Sequence, residues 1–145
     1  MSLRVTEVVI DCADHGRVVD FWAAALGYER REVNEQYVAL VPTAREPGPE
    51  PGARPGPEPG AGPGPEPGAG PGSAPGLPPL LFQKVPEPKT AKNRVHLDFR
   101  AEDMADEVTR LVGLVATVIA ERSLGDFAWT VLADPEGNEF CVSGD

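Results

Sequence analysis

Few side chains in this sequence are able to ligate a metal, move a proton or attack a carbonyl near neutral pH. They are His15 and His96, Cys12 and Cys141, and carboxylates such as Glu7 and Glu139. A neutral imidazole and a carboxylate suit Zn, Ni, Fe or Mn, whereas a thiolate favours soft or borderline ions such as Zn. His96 is the only histidine in a strand-like run, and His15, beside a helix start, reads as surface. Two cysteines are too few for a disulfide framework, and a reducing compartment keeps both as thiols. Outside the Pro/Gly-rich segment the glycines are Gly16, Gly27, Gly113, Gly125, Gly137 and Gly144, and they form neither GxGxxG nor GxSxG. A phosphate-cradling loop and a nucleophile elbow are therefore not expected. Lys84, Lys89, Lys92 and Arg94 gather within one short stretch, to be read as solvated linker charge or as an attractant for an anionic ligand.

The elements that must position these groups emerge once one segment is set aside. Residues 46–79 hold 13 of the 17 prolines and 10 of the 16 glycines, as eight-residue copies of PGPEPGAG and its variants. With no apolar side chain in the repeats larger than alanine, burial cannot offset the entropy of ordering, so a solvated coil of polyproline II character is expected. The flanks resemble each other. Glu7-Val-Val-Ile-Asp-Cys-Ala-Asp14 aligns with His96-Leu-Asp-Phe-Arg-Ala-Glu-Asp103, each an alternating strand ending in an Asp suited to cap a helix. Val18, Phe21, Trp22, Ala25 and Leu26 then make an amphipathic stripe closed by Gly27, and Met104, Val108, Leu111, Val112 and Val115 repeat it, with Val115 where Gly27 stood. Strand-like runs follow at 28–33, 37–42 and 80–85 in the first half and at 116–122, 127–133 and 139–143 in the second, with Asp134-Pro-Glu-Gly-Asn138 as a turn. The expectation is a single α+β domain of two tandem βαβββ units. Unit one spans 1–88, containing the insertion 46–79, and unit two spans 93–145.

Charge and hydropathy narrow the partners. A net charge of -10 argues against nucleic acid and anionic membrane, both of which bind through a basic footprint. No apolar run approaches the roughly 20 residues that cross a bilayer, and the first residues lack a secretory layout, so a cytoplasmic location is expected.

This unit order, with FWAAALGY closing the first helix and DPEGNEFCV near the end, resembles the vicinal oxygen chelate superfamily of glyoxalase I, bleomycin-resistance proteins, extradiol dioxygenases and fosfomycin-modifying enzymes. LLFQKVPEPKTAKNRVHLDF is similar to the glyoxalase-like domain proteins of actinobacteria. The resemblance implies that the units pair their curled sheets into a cup that holds the ligand between them and, together with exposed sheet edges, it implies a homodimer. It also implies that up to four wall residues hold a divalent metal. Carried over by position, these are Glu7, Gln83, His96 and Cys141, with Cys141 where the family has a Glu. Three have a plainer reading, Cys141 as a small apolar filler, Gln83 as a polar contact and His96 as a hydrogen-bonded wall residue, whereas a carboxylate at Glu7 facing a cup needs a cation or a hydrogen-bond partner. Glu139 shares a face with Cys141 and would replace the missing carboxylate if the strand bulged. Trp129 reads as core or pocket wall. Two functions are implied: a module that binds a small organic molecule without a tightly held metal, or a Zn-, Ni-, Fe- or Mn-dependent lyase or isomerase with Glu7 as the proton-transferring base.

Overall fold

The structure is a computed structural model that describes residues 3, 5–43 and 78–144. Most of the Pro/Gly segment, and with it the expected coil, lies outside the described residues. The chain runs β1 (Val8–Cys12), α1 (His15–Leu26), β2 (Glu29–Glu32), β3 (Tyr37–Val41), β4 (Leu80–Lys84), β5 (Leu97–Ala101), α2 (Met104–Gly113), β6 (Thr117–Leu124), β7 (Phe127–Ala133) and β8 (Glu139–Gly144). This is βαβββ twice. Each unit makes its own four-stranded mixed sheet, β1-β4-β3-β2 and β5-β8-β7-β6, with the first and last strands of the unit parallel and the others antiparallel.

Local chemistry explains the helix boundaries. Asp14 Oδ1 accepts from the Gly16 N–H and Asp103 Oδ1 from the Asp106 N–H, so each helix opens on a carboxylate cap. α1 closes on Gly27 at φ 67°, where its N–H reaches the Ala23 carbonyl. α2 closes through Leu114, whose N–H reaches the Arg110 carbonyl, and the left-handed residue that follows is Val115, β-branched at φ 75°, while the Ala116 N–H bonds the Leu111 carbonyl. The second stripe is shorter than the pattern suggests: Leu111 is buried, but Val112, still within the helix, and Val115, beyond its end at Gly113, are exposed.

Strand alternation sends Val38, Leu40, Leu80 and Phe82 of the first sheet, and Leu132, Phe140 and Val142 of the second, into one core. α1 lies against β2, β3 and β4, yet its rings reach the second unit. Trp22 sits 4.9 Å from the Phe140 ring and 5.7 Å from Phe99, and Phe21 sits 6.0 Å from Phe140. The two units therefore share an aromatic junction rather than folding back to back around separate cores.

Polar contacts reinforce that junction. The Trp22 indole N–H donates to Asp134 Oδ2 at 2.9 Å, and Asp134 Oδ1 accepts from the N–H groups of Glu136 and Asn138, closing the 134–138 turn. Glu136 in turn accepts from the N–H groups of Ala13 and Asp14 at the start of α1. A second strap joins the linker to β8: Lys89 Nζ lies 3.1 Å from Glu139 Oε1, and the Asn93 N–H donates to Glu139 Oε2.

Candidate functional site

Cys12 is buried in the core and His15 stands on α1, whereas Gln83 of the first sheet and Cys141 of the second alternate with core residues and so face away from the helices. On the second sheet, ladder register arranges the residues of this face in rows. Asp98, Cys141, Val131 and Ala120 lie across β5, β8, β7 and β6, and the next row is Arg100, Ser143, Trp129 and Arg122. Most of these groups line a cavity of about 770 Å3, a size typical of small-molecule sites. Lys92 and His96 border it at the linker, and Phe127 extends the wall beside Trp129, their centroids 5.6 Å apart at 30°.

Of the residues singled out from the sequence, the structure thus brings together His96, Trp129, Glu139 and Cys141. Glu7 and Gln83 belong to the other sheet, Glu7 exposed just before β1 and Gln83 on β4 opposite Asp11, and neither lines this cavity. Gln83 and Cys141 are also not equivalent in the two ladders. Cys141 pairs with Asp98, whose counterpart Val9 pairs with Leu81, while Gln83 pairs with Asp11, whose counterpart Arg100 pairs with Ser143. Strand pairing, which the sequence does not display, makes the repeat slip by two residues at these positions.

Each polar group has a defined environment. His96 Nε2 is 3.2 Å from the Asn93 carbonyl oxygen, which requires Nε2 to carry the proton and leaves Nδ1 as the acceptor of the neutral ring. The Cys141 thiol pKa is raised, by burial first and then by the Asp98 charge and hydrogen bond, with Lys92 opposing. Glu139 is held below the usual carboxylate range: burial works against its charge, but the Asn93 N–H, its own N–H and Lys89 outweigh it. Cys12, buried against the Gln83 carbonyl, is pushed up to about 11 by burial and then by Glu136, Asp14, Asp11 and Asp134.

These details decide whether the residues fit a metal. Among the described residues, no three His, Cys, Asp or Glu side chains converge closely enough to hold an ion. Glu139 is already engaged by Lys89 and Asn93, Glu7 stands exposed before β1, and Gln83 lies on the first sheet. The donor set does not make a metal centre, so no step is routed through one. Asp98, Arg122 and Phe127 were not singled out from the sequence. Asp98 was within reach, since alternation from His96 places it on the same face, whereas Arg122 joins the site only through the pairing of β6 with β7.

Two βαβββ units, each with its own four-stranded mixed sheet, joined through a shared aromatic junction, define a two-unit α+β domain. The chain belongs to the glyoxalase-like domain family, which it matches over residues 7–143. Among solved structures it is similar to a glyoxalase/bleomycin resistance protein/dioxygenase family enzyme from Burkholderia phytofirmans, at 15% identity and TM-score 0.61, covering 96% of each chain. It is also similar to the fosfomycin resistance protein FosX from Listeria monocytogenes, solved with Mn(II) and 1S,2S-dihydroxypropylphosphonic acid. That match has 9% identity and TM-score 0.65, covering 99% of this chain and 90% of that one. FosX from Mesorhizobium loti matches at 10% identity and TM-score 0.61, covering 100% and 94%. At such identities the likeness is one of fold. No curated protein sequence matches the chain.

Proposed function

We propose that this protein binds a small organic molecule on the concave face of the second sheet, without a resident metal. The observation that carries the reading is the composition of the 770 Å3 cavity: an aromatic and aliphatic wall around a few convergent polar groups, His96, Asp98 and Cys141 among them. A metal-dependent lyase or isomerase with Glu7 as base is the weaker alternative, because Glu7 lies outside the cavity that holds His96 and Cys141. The homodimer and the cytoplasmic setting belong to the same proposal. The exposed strand β6 at one sheet edge supports the former, and the acidic composition accords with the latter.

The test is elemental analysis of protein purified without chelator or histidine tag, joined to a thermal-shift screen of small organic compounds. Sub-stoichiometric metal, with hits whose shift disappears in Trp129→Ala, is the expected result. Stoichiometric Zn, Ni, Fe or Mn that is lost in His96→Ala would overturn the metal-free reading.

A further inference from the structure

Resting on that reading of the cavity, we infer that its ligand is a planar aromatic anion, the ring lying against Trp129 and Phe127 and the acid group meeting Arg122. The inference begins with the distribution of charge. The whole chain carries -10, yet the charges around the cavity do not follow that sign. Glu139 is neutralised by Lys89 at 3.1 Å. Asp98 stands on β5 beside Cys141, at the end of the site that Lys92 also borders, and that ammonium opposes Asp98 in setting the thiol.

Arg122 is left at the other end. It lies on β6, three strand spacings from β5, so Asp98 is roughly 14 Å away at about 4.8 Å per strand and cannot pair with it. Among the described residues Arg17, Arg94, Arg100 and Arg122 enter no ion pair, and of these four Arg122 alone lines the cavity. Its Cα partner across the ladder is Trp129, so the guanidinium and the indole rise from neighbouring positions on one face.

The aromatic wall supplies the second half. Phe127 and Trp129 lie two residues apart on one strand face, with rings 5.6 Å apart and only 30° from parallel. Trp129 is half-buried and Phe127 is exposed, so the pair presents open ring surface instead of core packing. Two rings tilted by only 30° beside a planar guanidinium form a surface matched to a flat ligand carrying a carboxylate or similar acid, which Arg binds in bidentate fashion. An aliphatic acid would forgo the stacking, and a neutral arene would leave Arg122 without its counter-charge.

The test measures equilibrium binding of three probes, 2-naphthoate, 2-naphthamide and cyclohexanecarboxylate, by calorimetry at low salt, with Nile red as a neutral apolar reporter of the cavity. Wild-type protein is expected to bind naphthoate at least tenfold more tightly than either of the other two. Arg122→Gln should bring naphthoate down to the level of naphthamide, Arg122→Lys should restore part of the preference, and Trp129→Leu should weaken both naphthalene probes. Because Arg122 is exposed on an edge strand, its variants are expected to fold, with circular dichroism as the check. Equal binding of naphthoate and naphthamide, or a preference that survives Arg122→Gln, overturns the aromatic-anion assignment. If Nile red still binds in a Trp129-dependent manner, the small-molecule reading stands without it. Failure of every probe, Nile red included, overturns both.

Discussion

Val115 carries an identifiable strain. A β-branched side chain at φ 75° pays the steric cost that Gly27 avoids at the left-handed cap of α1, and Val115 is half exposed, so its side chain recovers little by packing. Val115→Gly is expected to stabilise the fold by about 1 kcal/mol, less whatever the added freedom of glycine gives the unfolded chain. A urea titration that shows no gain in midpoint would mean that the left-handed turn is not strained. Cys12 makes a statement about pH. Its thiol pKa rises from 9.0 to about 11 on folding, so the unfolded chain loses this proton first. The stability tied to the buried thiol is complete below pH 9 and is lost as the pH climbs from 9 to about 11. Relative to wild type, Cys12→Ala should therefore show a shallower alkaline decline in melting temperature across that window, whatever it costs in packing at pH 7.

At the scale of elements, the 134–138 turn holds more than its own hairpin. Asp134 is 4% exposed and accepts from Trp22 of α1 as well as from Glu136 and Asn138. Asp134→Ala would strand the buried Trp22 donor and the part-buried N–H groups of Glu136 and Asn138 at once and should cost about 3 kcal/mol, whereas Trp22→Phe, which removes one donor and some ring area, should cost less, about 1–2 kcal/mol. Equal effects, measured by denaturant unfolding, would mean that the turn depends on the indole alone. These cross-unit bonds mark what the sequence could and could not show. Alternation in Val38–Phe82 and in Leu132–Val142 exposed the strands because one face of each sheet packs the core, and Asp14, Gly27 and Asp103 marked helix ends because caps are local chemistry. The site is different. Its rows depend on which strands pair and in what register, on an irregularity between Val118 and Ala120, and on the fold-back that sets Trp22 against Phe140. None of that is written in the neighbours of Trp129 or Cys141, which is why Glu7 and Gln83 read as companions of His96 and lie on the other sheet.

For the whole molecule, the Pro/Gly insertion poses a thermodynamic question that the strand order sharpens. β3 and β4 are adjacent and antiparallel, with Leu40 opposite Leu80, so the connection over residues 42–79 joins two chain ends that a short turn would serve as well. Loop closure costs about 0.6 kcal/mol for each doubling of length. Deleting residues 46–76 shortens this connection roughly fivefold, a little over two doublings, and should stabilise the domain by about 1.4 kcal/mol if the segment makes no contacts with the fold. Pro79 must be kept, because its carbonyl accepts the Val8 N–H and extends the β1–β4 ladder. The shared aromatic junction makes the expected transition single: Phe21 and Trp22 of unit one and Phe99 and Phe140 of unit two cannot part without exposing one another. Differential scanning calorimetry of the deletion variant should then show one peak at a higher temperature, with calorimetric and van't Hoff enthalpies in agreement. A lower temperature would show that the insertion packs on the domain, and two peaks would show that the junction does not couple the units.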